Sequence, residues 1–187
     1  QMLQAGFYII KTLSQLFIML FLLRLLFPWF HINYRNPAVQ GIFRLTSSFI
    51  NPIRRLIPPI GKIDTATLIV TFLIQYFVIF LLLILNQKML AVHMIAFVSI
   101  IEICIQSANL FFFAIIIKII FSWIGPKMYN PIAEIAGSIS DPILKPFRKL
   151  IPPLSGIDFS PIFAIICIQA IIIFFQSIKP YYLWVNI

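Results

Sequence analysis

The sequence predicts an all-α membrane protein: four transmembrane helices in two tandem same-orientation repeats, each with an amphipathic interfacial helical hairpin between its two spans. Three observations carry this. Of the 187 residues, 61% are apolar and only 10% charged, whereas soluble domains run near about 45–50% and about 25%. Four stretches, 5–30, 67–85, 94–124 and 161–178, reach the about 20 apolar residues a helix needs to cross hydrocarbon. Finally, a basic, proline-locked phrase, "RRLIPPIGKID" at 54–64, returns as "RKLIPPLSGID" at 148–158.

Each apolar stretch must be helical, because lipid offers no partner to a bare peptide group. The first has no basic leading segment and too long an apolar run for a cleaved signal peptide, so it is expected to stay in the membrane. Sliding the chain by 94 residues superposes 24–75 on 118–169 with 14 identities in 52 positions. Phe27 and Trp29 fall on Phe121 and Trp123, Asn36-Pro37 on Asn130-Pro131, and Gln75 on Gln169. The expected units are therefore 1–86 and 94–187, each two spans around a polar hairpin. An even number of crossings returns the chain to its starting side, so the units share one orientation. The short link 86–93 makes the two middle helices antiparallel neighbours.

Charge orients the bundle. Hairpin one, 33–64, holds Arg35, Arg44, Arg54, Arg55 and Lys62; hairpin two, 125–158, holds Lys127, Lys145, Arg148 and Lys149. These are nine of the fourteen basic residues. The positive-inside rule then makes both hairpins cytoplasmic and both termini external. Within hairpin one, Val39, Ile42, Phe43, Phe49, Ile50, Ile53, Leu56 and Ile57 recur at steps of three and four. Ile132, Ile135, Ala136, Ile139, Ile143, Phe147, Leu150 and Ile151 do so in hairpin two. Such a helix, greasy on one side and basic on the other, suits either the headgroup interface or the end of its own bundle.

Prolines divide the hairpins. Asn51-Pro52 and Asp141-Pro142 read as a cap followed by a first helical residue, so a short new helix is expected to start at each. Pro58-Pro59 and Pro152-Pro153 should end it, since a residue before proline is pushed out of the helical region. Gly61 or Gly156 turns the chain. Asp64 and Asp158 cap the returning helix, with Ser160-Pro161 a second cap-and-proline start in repeat two. Each phrase is thus a rigid elbow at which Arg54, Arg55, Arg148 and Lys149 meet anionic headgroups or a partner, each cation contributing about 1 kcal/mol near an anionic surface.

At this point the stretch "FSWIGP…NPIAEIAGSISDPILKPFRKLIPPLSGIDFSPI" resembles the YggT family repeat, through Ser122, Trp123, Asn130, Pro131, Ser140, Asp141, Pro142, Pro146, Arg148, Pro152, Pro153, Gly156, Asp158, Ser160 and Pro161. Repeat one matches through Trp29, Asn36, Pro37, Pro52, Arg54, Pro58, Pro59, Gly61 and Asp64, but carries Ser47-Ser48 for the acidic-proline pair and Ala66-Thr67 for Ser-Pro. The resemblance implies a small protein of the bacterial inner membrane. Relatives are associated with osmotic or ion stress, cell-division gene neighbourhoods and, in plastids, nucleoid distribution and haem assembly on cytochrome b. It implies no enzymatic activity, catalytic residue or cofactor.

Charges inside the spans are the remaining candidates for chemistry. Arg24 and its repeat equivalent Lys118 each precede an interfacial Trp by five residues, and are expected to snorkel to the headgroups. Glu102, the one acid within a span, is expected to pair with Lys11 across the pseudo-axis, with Gln106 and Asn109 extending a polar stripe. His31 and His93 fall on opposite sides and cannot share a metal. Cys104 and Cys167 read as packing thiols. The net charge of +9 sits beside membrane helices, so anionic lipid is expected as partner and nucleic acid is not. Two functions follow: a non-enzymatic scaffold or assembly factor that binds anionic lipid and a membrane or cytoplasmic protein, or a transporter or channel subunit in ion homeostasis, with Glu102, Lys11 and Gln106 along its path. With four helices the latter requires several copies, and a homo-oligomer is compatible with both.

Overall fold

The computed structural model describes residues 2–125 and 128–180. Six α-helices follow one another: α1 Met2–Leu26, α2 Pro37–Leu56, α3 Thr65–Leu85, α4 Val92–Ile124, α5 Pro131–Leu150 and α6 Ser160–Ile178. A 3₁₀ turn, Phe27–Trp29, prolongs α1. Helices α1 with its turn, α3, α4 and α6 are long and apolar enough to cross a membrane, and side chains such as Phe77, Ile173 and Phe174 point outward. So much exposed apolar surface has no place in water. Lys127 and the tail beyond Pro180 lie outside the described residues.

The elements of 2–85 and 92–178 follow the same order, helix, amphipathic helix, helix. Phe21, Ile50, Ala66 and Val70 form a core joining α1, α2 and α3. Ile105, Ile115, Leu144, Ala164 and Ile168 do so for α4, α5 and α6. A third cluster, Ile18, Leu22, Phe27, Val39, Leu110, Ala114 and Ile139, bridges α1, α2, α4 and α5. The link after α3 sets α3 against α4 through Ile79, Leu83, Ile95 and Val98.

Both amphipathic helices start at the Asn-Pro pair. The Asn36 side chain accepts from the Ala38 and Val39 amides at 2.8 and 3.3 Å, and that of Asn130 from Ile132 and Ala133 at 2.9 and 3.2 Å. Proline follows each at a position whose N–H would be unsatisfied anyway. The new starts expected at Asn51-Pro52 and Asp141-Pro142 do not occur. Helix α2 runs through Pro52, and α5 through Pro142 and Pro146. All three prolines lie on the exposed face, so the carbonyls of Ser48, Ser138 and Pro142, four residues earlier, can turn to water or headgroups. The other face keeps Ile50, Ile139 and Leu144 buried, which outweighs the lost bonds.

The double prolines do end the helices. Ile57 and Ile151 are extended, both with φ −127°, as a residue before proline must be. Two-residue turns follow, closed by Ile60 with Ile63 and Leu154 with Ile157. At the first, only Gly61 has positive φ, +60°; at the second, both Ser155 and Gly156 do, +52° and +79°. These are the φ patterns of II′ and I′ hairpin turns respectively, one demanding glycine first and the other tolerating a small polar residue before glycine.

Candidate functional site

The elbows are closed by matching ion pairs. Arg54 donates to the Asp64 carboxylate, and ninety-four residues later Arg148 Nε donates to Asp158 at 2.9 Å. Asp64 also caps α3, accepting from the Thr67 amide at 3.3 Å and the Thr67 hydroxyl at 2.6 Å. Asp158 accepts from the Ser160 amide at 2.9 Å, while Pro161 occupies the first turn of α6. Burial resists ionisation of Asp158, but the bonds from Ser160 and Arg148 prevail and hold its carboxyl below the usual range. Pro58, Pro59, Pro152 and Pro153 therefore stiffen a loop whose ends an arginine and an aspartate tie together.

The four cations expected at this surface divide into two kinds. Arg54 and Arg148 are half-buried and committed to their aspartates, whereas Arg55 and Lys149 beside them are exposed. Among the described residues, no carboxylate lies within 4.0 Å of Arg35, Arg44, Arg55, Lys62, Lys145 or Lys149. An open groove of about 810 Å³ along α5 is lined by Lys145, Arg148 and Lys149 with His31, Glu134 and Asp141. Asp141, expected as a cap, instead stands mid-helix, where it accepts from Lys118 and lies 3.6 Å from Arg148 Nη1.

A contact that sequence reasoning missed joins the two hairpins. Glu134, in the first turn of α5, accepts from Asn33 Nδ2 at 2.9 Å, Asn36 Nδ2 at 2.7 Å and the Tyr129 hydroxyl at 2.8 Å. The Asn33 bond, then that from Tyr129, lowers its carboxyl below the ordinary range, and the Tyr129 phenol is raised in return. The only signal was an acid at a helix start, which the helix dipole explains unaided.

Arg24 does not snorkel. It is 3% exposed and donates through Nη1 to Thr46 Oγ1 at 2.9 Å, Ser47 Oγ at 3.0 Å and the Phe43 carbonyl at 3.4 Å, with its guanidinium 4.5 Å from the Phe43 ring centre. Its equivalent Lys118 pairs with Asp141, which is the repeat equivalent of Ser47. The two repeats thus solve one problem, a cation near the end of the first span, with hydroxyls in one and a carboxylate in the other.

At the other end of the bundle, Glu102 accepts from Lys179, at the end of α6. The expected direct pair with Lys11 does not form within 4.0 Å; Lys179 lies against the carboxylate instead. Lys11 nevertheless lines the same cavity as Glu102, Gln106, Gln75 and Gln15. At about 20 Å³ it has the size of a single water. Buried Gln75 contributes an Oε1 without a partner among the described residues.

These features define an all-α protein with four helices long and apolar enough to cross a membrane and two further helices, α2 and α5, between them. The chain belongs to the CCB3/YggT family, whose model matches residues 3–85 and again 94–178. It is 40% identical over 173 residues to an uncharacterized protein of Pseudomonas aeruginosa, covering 89% of this chain and 86% of that one. It is 30% identical over 165 residues to the uncharacterized protein YggT of Escherichia coli, covering 88% and 85%. The uncharacterized protein ycf19 of Porphyra purpurea is 32% identical over 73 residues, 38% of this chain and 77% of its own. No solved structure matches the chain.

Proposed function

We propose that this protein is a non-enzymatic membrane scaffold or assembly factor, built of two tandem same-orientation repeats whose hairpins lie at the cytoplasmic face of the bacterial inner membrane. There they bind anionic lipid and recruit a protein partner for envelope or membrane-complex organisation. The observation that carries the reading is the division of labour among the cations. Arg54 and Arg148 lock the elbows, and this holds the exposed Arg44, Arg55, Lys145 and Lys149 on helices braced against the bundle. Preorganised cations lose less freedom on meeting an anionic surface than cations on a loose loop. The transport reading draws little support from a polar cluster enclosing about 20 Å³, too small for a hydrated ion.

The test is lipid enrichment around the reconstituted protein, read as energy transfer from tryptophan to dansyl-phosphatidylglycerol against dansyl-phosphatidylcholine. Wild type should favour the anionic probe, more strongly at low salt. Changing Arg44, Arg55, Lys145 and Lys149 together to Gln should abolish the preference, at about 1 kcal/mol per cation. A preference unchanged in that variant rules out the proposal.

A further inference from the structure

The two elbows share their ion pair but not their surroundings. In repeat one, Arg24 is tucked under α2 and Lys62 lies over the Trp29 ring at 5.8 Å, leaving Trp29 56% exposed. In repeat two, Gly156 stands where Lys62 would, Lys118 replaces Arg24, and Pro161 replaces Thr67. Trp123 is left 84% exposed. Beside it opens a pocket of about 560 Å³, between the end of α4, the end of α5 and the start of α6, within the size range of ligand sites.

Its lining is of two kinds. Ile119, Leu144 and Ile162 supply apolar lining, and Lys118, Arg148 and Asp158 supply its charged groups. The mouth lies where α4 leaves the apolar layer and α6 enters it, at the level of headgroups, which the exposed Trp123 marks. The charges alternate: Lys118 to Asp141, Asp141 to Arg148, Arg148 to Asp158. The charged groups that line the pocket are Lys118, Arg148 and Asp158, and Asp141, which lines the neighbouring groove, already engages both cations from outside it. A purely anionic headgroup would have to compete with the aspartates for the same donors. A headgroup carrying a phosphodiester and a primary ammonium matches both signs at once.

We propose that this repeat-two pocket binds one phospholipid of the phosphatidylethanolamine type, its phosphate on Lys118 and Arg148, its ammonium on Asp158, and an acyl chain along Ile119 and Ile162. Lys118 has N–H donors beyond the one given to Asp141, and the guanidinium has donors beyond Nε and Nη1. The Asp158 carboxylate, itself partly exposed, keeps lone pairs beyond those engaged by Ser160 and Arg148. Choline has no N–H to offer it. The site is independent of the anionic-surface proposal, whose exposed cations Arg55 and Lys149 line no part of this pocket.

Native mass spectrometry of the full chain in detergent, titrated with dioleoyl phosphatidylethanolamine, phosphatidylcholine or phosphatidylglycerol, tests this. The first bound lipid should favour ethanolamine, and Lys118→Gln should weaken it about tenfold, the effect of one charge-assisted bond. Ile162→Trp, at a half-exposed position, fills the wall while leaving every charge in place; it should abolish that first binding with the melting temperature of the lipid-free protein kept, and it decides the question if Lys118→Gln fails to fold. Arg55→Gln with Lys149→Gln should leave it unchanged while reducing phosphatidylglycerol enrichment. Equal affinity for choline, preference for glycerol, no retained first lipid, or undiminished binding by Ile162→Trp would each overturn the assignment.

Discussion

Replacing Thr46 by Val and Ser47 by Ala should destabilise the protein by about 3 kcal/mol, and adding Arg24→Met should give part of that back. The two hydroxyls accept from Arg24 at 2.9 and 3.0 Å, and bonds to a charged group contribute about 1.5–3 kcal/mol each. Without them the guanidinium, 3% exposed, keeps a 3.4 Å contact to the Phe43 carbonyl and the Phe43 ring, while its Nε already has no partner among the described residues. Removing one side of a buried polar pairing leaves an uncompensated charge, typically about 3–5 kcal/mol. Removing both sides leaves apolar atoms that pack, so the triple variant should recover roughly half of the loss. The second acceptors are not stranded, because the carbonyls to which the hydroxyls donate, Ile42 at 2.7 Å from Thr46 and Phe43 at 2.5 Å from Ser47, lie within helix α2 and also accept its backbone bonds. The assay is reversible unfolding of the purified protein in mixed micelles, with hydrogen exchange along α2 as local readout. Strict additivity of the Arg24 change and the hydroxyl changes would refute the reasoning, because it would mean the side chains do not act as one unit.

Asp158→Asn should flatten the acid limb of the stability profile. Its folded carboxyl titrates below the unfolded value of about 3.9, so its contribution is present above about pH 4 and is lost as pH falls through the folded value; melting curves from about pH 3 to pH 7 check this, with Glu134 leaving a residual slope of the same sign. Glu102→Gln should lower stability by about 1–3 kcal/mol, because it removes the carboxylate that faces Lys179 and Lys11, and Lys11→Met should offset part of this in the same unfolding assay; ion flux in liposomes driven by a gradient should be absent from both variants and wild type. Gly156→Ala should cost about 1 kcal/mol through its φ of +79° alone, since an added Cβ meets no atom within 4 Å; a melting temperature equal to wild type would show that the turn relaxes.

Much of the fold was legible because it depends on neighbours in the chain. Apolar runs of sufficient length admit one answer in lipid, and all four expected spans agree with the helices to within a few residues. The stops at Pro58-Pro59 and Pro152-Pro153 were legible because proline acts sterically on the preceding residue. Pro52 and Pro142 misled because whether a helix survives a proline depends on which way the freed carbonyl faces. That direction was set by burial of Ile50, Ile139 and Leu144 on the opposite side. Asp141 shared the same error: next to Pro142 it reads as a cap, and only the continuing helix turns it toward Lys118.

The candidate sites divide in the same way. The basic phrases and the aspartates at the start of the returning helices could be read directly from the sequence, whereas the pairing of Arg54 with Asp64 and of Arg148 with Asp158 appears only in the structure. The partners of Arg24, Glu102 and Glu134 could not be read either. Each contact joins separate helices, with Lys179 lying 77 residues from Glu102 and Asn33 lying 101 from Glu134, and a helix rotated by one residue turns its side chains by about 100°. The sequence by itself determined that the chain holds four helices apolar enough to cross a membrane, matches one family pattern twice and bends at two basic, proline-stiffened elbows, because hydropathy, identity and steric limits act locally. The tertiary structure alone decided which cations are committed and which remain exposed. That outcome rests on how the helices are rotated against one another, which the packing of Ile, Leu and Phe in the core fixes.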